Sequence, residues 1–185
     1  MAFFYVLPNS LFLRQGEIIE NLFELQPKIH EGMTIELDQP VKLDRVDHPY
    51  SIVVSQDCDL EWDYKARQRQ ASADKLLTHV LFCALFSQDE LRVRSSLGSD
   101  IFKRVRQNQD ERYHRLGEAP VNGTDGSLPE LFADFKIAFS LPTEFLYWLV
   151  STGQVARKGV LVSPYLEDFM HRLYTFLGRV ATPGL

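Results

Sequence analysis

Short stretches in which apolar and polar residues alternate recur along the chain, and a period of two is typical of half-buried strands. Residues 50–55 are rich in β-branched side chains, which favours a buried strand that the polar residues 56–59 close. The stretch 41–46 ends at a polar, proline-containing break, so the pattern predicts two separate strands here. The predicted strands are 34–38, 41–46, 50–55, 76–86, 132–139 and 159–162.

Three helices are predicted where apolar residues recur at steps of three and four or where a proline can begin a helix. Residues 99–109 combine apolar positions at helical spacing with basic residues elsewhere, and Asp100 is the expected N-cap. Residues 142–150 form the second helix. The strongest pattern is 164–177, where a proline lies near the start and Gly178 follows as the C-cap.

Two segments have a weaker pattern. Residues 61–73 are polar and charged without glycine or proline, which leaves a short helix and a mobile excursion as alternatives. Residues 118–128 contain one proline and two glycines, and this composition predicts a loop.

Strands dominate the first two thirds of the chain and helices the rest. The predicted fold class is therefore α+β, a small twisted β-barrel or sheet with added helices that include a C-terminal one. The 185 residues, 45% of them hydrophobic, have the length of a single domain spanning 1–185. Its β-rich core is expected at about 30–140 and its helical part at 141–185.

Composition also bears on the compartment. Two cysteines cannot form a disulfide framework, which excludes a small secreted fold held together by disulfides. The N-terminus lacks the basic region and cleavage site of a signal peptide, and no apolar run approaches the ~20 residues that span a bilayer. We therefore expect a cytoplasmic protein that has no membrane partner and keeps Cys58 and Cys83 reduced.

The net charge of −5 conceals an uneven distribution. Residues 17–63 carry twelve acidic and three basic side chains, a net charge of −9, whereas residues 103–115 have a net charge of +3. Two interpretations are open. The two segments pack against each other and partly neutralise their charges, or the later segment forms a basic surface for phosphate or for an acidic partner.

The densest polar cluster, 55–59, follows the predicted strand 50–55 directly. Repulsion from Asp57 and Asp59 makes Cys58 a poor nucleophile, but a divalent cation would relieve that repulsion. His114 is a further candidate ligand, although no metal-site spacing accompanies it, so these four residues are weak metal candidates and no cofactor is predicted. The alternatives are a partner-binding tip or a structural cluster with Cys58 buried, Asp57 capping the turn and Asp59 paired with an arginine.

The second cluster, 104–116, mixes guanidinium groups, amides, an aromatic ring and an imidazole. Arginines bind phosphate in a bidentate manner, and Tyr113 could stack on a base. Together with residues 57–59, the candidate binding residues are Arg104, Arg106, Arg112, Tyr113 and His114. The alternative is a solvated helix face followed by a strand, with Arg112 paired with an acid from the first third of the chain.

Residues 49–60 resemble a group of uncharacterised bacterial proteins with a VVSQ-x-CD signature. The same pattern includes 108–116 (NQDERYHRL), 163–165 (SPY) and 179–180 near the C-terminus. Residues 49–57 also resemble the "RPALVVSND" strand of MazF/PemK-like toxins. That resemblance implies an SH3-like barrel and metal-independent RNA cleavage, with His48 in place of the arginine that the toxins have before the proline.

These observations support three functional hypotheses. The first is a non-catalytic protein-binding or regulatory module of a bacterial defence or regulatory system, which would contact a protein partner through 103–115 or the C-terminal helix. The second is a MazF-like RNA-binding protein or ribonuclease, whose candidate catalytic residues are His48, Ser55, Gln56 and Arg112. The third is a metal-site protein. The sequence predicts no oligomeric state.

Overall fold

The computed structural model describes residues 5–28, 42–69 and 73–179 and has an α+β fold, which confirms the predicted class. The strands are β1 (Tyr5–Val6), β2 (Glu17–Pro27), β3 (Leu43–Val53), β4 (His79–Phe86), β5 (Tyr113–Leu116), β6 (Ala119–Asn122), β7 (Ser127–Leu128), β8 (Leu131–Pro142) and β9 (Ala156–Leu161). The helices are α1 (Asp57–Arg69), α2 (Gln88–Ser95), α3 (Ser99–Arg106), α4 (Thr143–Ser151), α5 (Tyr165–Leu177) and a 3₁₀ turn, Ala73–Lys75.

The strands form one mixed sheet in the order β5-β8-β4-β3-β2-β9-β1-β6-β7. Alternation along β4 divides its side chains between two cores: Val80 and Phe82 belong to the first, Cys83 and Leu85 to the second. Buried residues of α1, α2, α3 and α4 pack into the first core, and those of α5 pack into the second. The sheet is therefore covered by helices on both faces.

The two ends of the sheet curl towards each other around α5. Leu116 of β5 and Val121 of β6 belong to the same core, although β5 and β6 lie at opposite ends of the strand order. Only residues 117–118 join these strands, and the Tyr5 hydroxyl lies 3.5 Å from the Gly117 carbonyl oxygen. Strand pairing does not continue across this seam, so the predicted twisted barrel or sheet is an open sheet.

The prediction of two strands at 41–46 and 50–55 is wrong, because β3 runs through both. Pro49 lies opposite Asn21, between the pairs Glu20–Tyr50 and Leu22–His48. Asn21 has a left-handed backbone with a φ of 67°, and β2 and β3 pair on both sides of the Asn21–Pro49 position. The predicted strand 34–38 lies outside the described residues.

The predicted loop 118–128 is instead the hairpin β6–β7, which turns at Gly123 with a φ of 98°. The β-rich part also extends beyond the predicted 30–140, because β1, β2 and β9 contribute four of the sheet's pairings. Two of these strands come before residue 30 and the third comes after residue 140.

The predicted helices α3, α4 and α5 are confirmed, with Gly178 as the C-cap of α5. Gly98 is the N-cap of α3, and Asp100 lies one residue inside its first turn. The sequence leaves a short helix and a mobile excursion open for the segment 61–73. Residues 57–69 form α1, so the helix is correct for the described part of that segment. Among the described residues, no helix has the length and apolar character needed to cross a membrane.

Candidate ligand-binding cavity

A cavity of about 700 Å³ lies at the seam between the two ends of the sheet. We call it the β5–α5 cavity. Strand β5, the connection 117–118, β1, the end of β9 and the first turn of α5 form its walls. The lining residues are Tyr5, Arg106, Asn108, His114, Arg115, Leu116, Gly117, Glu118, Glu130, Leu161, Tyr165 and Asp168. Residues from two segments of the VVSQ-x-CD pattern, 108–116 and 163–165, therefore meet in one cavity.

His114 is a buried titratable group of this wall. It is 4% exposed, and its ring packs edge-on against Phe169 at a centroid distance of 5.2 Å. Burial, together with the positive charge of Arg172, lowers the pKa of His114 to about 3. The imidazole is therefore neutral near pH 7. Its Nδ1 is buried and has no hydrogen-bond partner among the described residues.

Side-chain hydrogen bonds hold β5 in place along its outer edge. Asn108 Oδ1 accepts a hydrogen bond from the Arg115 amide at 2.6 Å, and Asn108 Nδ2 donates to the Arg115 carbonyl at 3.3 Å. Arg172 of α5 donates to the carbonyls of Asn108, Asp110 and Tyr113 at 2.7–2.8 Å. The cavity wall is thus tied to both α5 and the loop after α3.

Charged side chains of both signs surround the β5–α5 cavity. Arg115 donates to Glu130 at 2.6 Å, and Arg106 lies 4.0 Å from the same carboxylate. Glu118 and Asp168 form no ion pair with a described residue. Burial raises the pKa of the Tyr5 phenol, which keeps this side chain neutral.

A second cavity of about 400 Å³, the α3 cavity, adjoins the first. Its lining residues are Ser99, Phe102, Lys103, Arg106, Gln107 and Arg115. Arg106 and Arg115 line both cavities. The described lining of the α3 cavity contains three cations and no carboxylate.

Of the candidate binding residues at 104–116, Arg106 and His114 line the β5–α5 cavity, and three others do not. Arg104 and Arg112 line a separate cavity of about 460 Å³. Tyr113 is 3% exposed, and the Arg112 guanidinium covers its ring at 4.8 Å. The predicted stacking of a base on Tyr113 is therefore wrong, because the ring face is not accessible.

Arg112 belongs to a structural ion pair. Its Nε and Nη2 donate to the two carboxylate oxygens of Asp134 at 2.7 and 2.6 Å, and Asp134 is fully buried. The hydrogen bond to Asp134, which outweighs the cost of burial, raises the pKa of Arg112. The prediction that Arg112 pairs with an acid of the first third is wrong, since its partner lies on β8.

The cluster at 55–59 begins α1 and has structural contacts. Asp57 accepts hydrogen bonds from the Arg14 guanidinium at 2.6 and 3.0 Å and from the Gln15 amide at 2.6 Å. Ser55 accepts a hydrogen bond from the Leu81 amide at 2.9 Å. Asp57 and Ser55 thus connect three parts of the first half of the chain.

The other members of this cluster differ from the structural alternative. Cys58 is exposed rather than buried, and Asp59 forms no ion pair with a described residue. Among the described residues, no group of three or more histidine, cysteine, aspartate and glutamate side chains could hold a metal ion. The structure therefore does not unite His114 with residues 57–59.

The candidate catalytic residues His48 and Arg112 lie apart from each other. His48 Nε2 is 3.0 Å from Glu24 Oε1, and its ring stacks on Phe139 at a centroid distance of 4.0 Å. Phe139 and Asp134, the partner of Arg112, are five residues apart on β8, or roughly 16 Å along the strand. Gln56 is exposed at the start of α1. No described contact brings these side chains together.

Among the described residues, the ion pairs of the acidic segment and those of the basic segment involve different partners. Acids of 17–63 pair within that segment or with Arg14, Lys65, Arg67, Arg157 and Lys158. Bases of 103–115 pair with Glu130 and Asp134. Within the described parts of the chain, which leave out three acids of the first segment, no ion pair joins the two segments, so the described residues give the first interpretation no support.

Comparison with family models found no match to this chain, and comparison with curated proteins found none either. The cavity is therefore interpreted from its own chemistry. Sequence reasoning did not identify Tyr5, Leu161, Tyr165 or Asp168 as site residues. The signal that could have found Tyr165 was its position in the SPY segment of the VVSQ-x-CD pattern.

Proposed function

We propose that this chain is a non-catalytic binding module whose β5–α5 cavity binds a small organic ligand. The observation that carries the proposal is the cavity of about 700 Å³ itself, which has a neutral, 4% exposed His114 in its wall. Ligand sites in proteins have volumes of roughly 300–1,000 Å³ and place a few polar groups in an apolar wall.

The wall has the mixed chemistry of a binding site. Leu116 and Leu161 offer apolar contacts, and Tyr5 and His114 are neutral hydrogen-bonding groups. The hydrogen bonds of Asn108 and Arg172 fix β5 before a ligand arrives, which lowers the entropic cost of binding.

A binding role fits His114 better than a catalytic one. A general base works best when its pKa lies near the operating pH, and the pKa of His114 is lowered to about 3. The candidate catalytic residues His48 and Arg112 are engaged with Glu24 and Asp134. The ribonuclease hypothesis gains no support from these contacts.

The biological setting is part of the same proposal. The proposed setting is a bacterial regulatory or defence system, in which ligand binding would control a protein partner. The proposed SH3-like relationship to MazF/PemK-like toxins is supported by residues 49–57 and by the strong curl of the sheet. The open seam is the main departure from a closed barrel, and it is where the proposed site lies.

The test is an NMR titration of the ¹⁵N-labelled chain with a defined library of water-soluble metabolites. We expect at least one compound to give saturable shifts at β5, residues 117–118 and the first turn of α5. His114→Phe keeps the aromatic packing, removes both ring nitrogens and is expected to weaken that binding at least about tenfold. His171→Phe is the matched control, because His171 is exposed elsewhere on α5.

Thermal unfolding of both variants checks that the fold is retained. The proposal would be contradicted if no library compound shifted the cavity resonances. It would also be contradicted if His114→Phe and His171→Phe bound the ligand equally well.

A further inference from the structure

The α3 cavity concentrates positive charge from two different elements. Lys103 and Arg106 lie three residues apart and thus on one face of α3, and Arg115 reaches the same cavity from β5. Glu130 is the single carboxylate within 4.0 Å of these cations among the described residues. Lys103 forms no ion pair with a described residue. One carboxylate against three cations leaves a local charge of about +2.

The helix dipole explains only part of this cluster. Cations in the last turn of a helix are stabilised by its carbonyl end, which accounts for Lys103 and Arg106. Arg115 lies on a strand, so the dipole of α3 does not account for it. Arg115 brings a third cation into the α3 cavity. Because the three cations repel one another, an anion bound in this cavity would be stabilised by all of them.

Phosphate suits this arrangement by geometry as well as by charge. The planar fork of arginine donates two parallel hydrogen bonds to phosphate oxygens, and lysine adds a point charge. Ser99 and Gln107 supply further hydrogen-bonding groups in the same wall. A phosphate has enough acceptor oxygens to contact all of these groups.

The charges of the two cavities differ, and this difference fixes the orientation of a ligand that spans them. Arg106 and Arg115 line both cavities, so a ligand bound in the β5–α5 cavity can place a group against the side chains that the two cavities share. Glu118 and Asp168 line only the β5–α5 cavity, where they would repel a phosphate and accept hydrogen bonds from hydroxyl or amino groups. A phosphate is therefore directed to the α3 cavity and the donor-rich body of the ligand to the β5–α5 cavity.

We infer that the ligand is a small phosphomonoester with hydroxyl or amino donors, its phosphate held by Lys103, Arg106 and Arg115. This inference rests on the proposed function, since it names the ligand class of the same site. Nucleoside monophosphates and sugar phosphates share this chemistry.

Calorimetric titration at fixed ionic strength tests the inference and distinguishes these two sources. The probes are AMP, ribose 5-phosphate and inorganic phosphate. AMP is compared with adenosine, and ribose 5-phosphate is compared with ribose. We expect AMP or ribose 5-phosphate to bind at least about tenfold more tightly than its dephosphorylated counterpart. Preference for AMP identifies a nucleotide ligand, and equal binding of both identifies the sugar phosphate as the recognised part.

Substitutions on α3 locate the phosphate. Lys103→Gln and Arg106→Gln are each expected to weaken binding of the phosphorylated probe about tenfold, and Lys103→Gln, at a residue that lines only the α3 cavity, should leave the dephosphorylated compound unaffected. Arg104→Gln is the matched control, because Arg104 lies between them on the same exposed helix turn but lines a different cavity. All three side chains are exposed, so the fold should be retained, which thermal unfolding checks.

The phosphate inference is overturned if neither phosphorylated probe binds, or if each binds no more tightly than its dephosphorylated form. Equal loss in Arg104→Gln would also overturn it, by showing a general charge effect. Binding confined to single-stranded RNA would replace the small phosphomonoester with a macromolecule. The proposed function fails separately, when no compound of the metabolite library shifts the β5–α5 cavity resonances.

Discussion

Asn108 hydrogen-bonds to Arg115 in the way that a neighbouring strand would. Its side-chain oxygen accepts from the Arg115 amide at 2.6 Å, and its side-chain nitrogen donates to the Arg115 carbonyl at 3.3 Å. Arg172 donates a hydrogen bond to the Tyr113 carbonyl on the same outer edge of β5. An open sheet normally leaves its edge groups free to pair with another chain. Here side chains satisfy them and hold the wall of the β5–α5 cavity in place.

Removing the Asn108 side chain should destabilise the protein through this edge. Asn108 has a φ of 54°, which glycine adopts without strain. Asn108→Gly therefore removes only the two hydrogen bonds and is expected to lower the free energy of unfolding by about 1–3 kcal/mol. Asn108→Ala should cost roughly 1 kcal/mol more, because alanine disfavours left-handed backbone.

Urea unfolding measures both variants, and hydrogen exchange of the Arg115 amide reports on the edge itself. Faster exchange at Arg115 is expected in both. If Asn108→Gly were as stable as the wild type within about 0.5 kcal/mol, the hydrogen bonds of Asn108 would not be holding β5.

The Arg112–Asp134 pair should matter for stability rather than for binding. Asp134 is fully buried, and removing its guanidinium partner leaves a charge without compensation. Arg112→Met is expected to lower the free energy of unfolding by about 3–5 kcal/mol, measured by urea unfolding. Binding of the phosphomonoester at the folded variant should be retained, because Arg112 lines neither of the two ligand cavities.

A double variant separates the buried charge from lost packing. Arg112→Met with Asp134→Asn removes the charge and keeps an acceptor for the Lys136 amide. It should be more stable than Arg112→Met alone. Lys65→Met, which breaks the exposed pair with Glu61, should cost below about 1 kcal/mol. A cost for Arg112→Met as small as that of Lys65→Met would contradict the prediction.

The elements predicted from the sequence are those whose secondary structure follows from the hydrophobic pattern of their own residues. Alternating side chains in β4 reach two separate cores, and apolar steps of three and four in α5 form one buried face. Strand β2 was not predicted because acidic residues interrupt its apolar pattern, and the first of them, Glu17, is buried. Its charge is compensated by Arg157, 140 residues further along the chain, and the Arg14 amide also donates to its carboxylate. No local pattern reveals such a partner.

The site was less predictable than the fold because distant parts of the chain build it. Tyr5, Leu161 and Tyr165 come from the first strand, the last strand and the last helix. Their convergence depends on the curl of the sheet, which residue periodicity does not encode. The basic segment 103–115 drew attention to Arg106 and His114, but it also suggested Arg112 and Tyr113, whose structural contacts are formed with β8 and with each other.

Arg172 should act as the link between α5 and the loop before β5. Its guanidinium donates to three carbonyls, those of Asn108, Asp110 and Tyr113. Lysine keeps the charge but cannot reproduce this fork, so Arg172→Lys is expected to lower the free energy of unfolding by about 1–3 kcal/mol. Hydrogen exchange should rise at 109–113. Unchanged exchange there would argue against the link.

His114 should make the stability of the protein depend on pH in a window set by its pKa. That pKa is lowered from 6.5 to about 3 by burial and by Arg172, so the unfolded chain binds a proton in this range and the folded protein does not. The free energy of unfolding should therefore be highest above pH 6.5, fall as the pH is lowered towards 3, and lose nothing further from His114 below that value. Between pH 7 and 5 the expected loss from this group is about 2 kcal/mol.

The comparison with His114→Phe isolates this contribution, because every other titrating group is shared by the two proteins. Urea unfolding at pH 7 and pH 5 should show the wild type losing about 2 kcal/mol more than His114→Phe. The variant should also be the more stable protein at pH 7, since it no longer buries a nitrogen without a partner, while its ligand binding is weakened. A gain in stability together with a loss of binding is expected of a group retained for recognition. If the variant were instead less stable at pH 7 and had the same pH dependence as the wild type, His114 would be a structural group and the proposed site would lose its central residue.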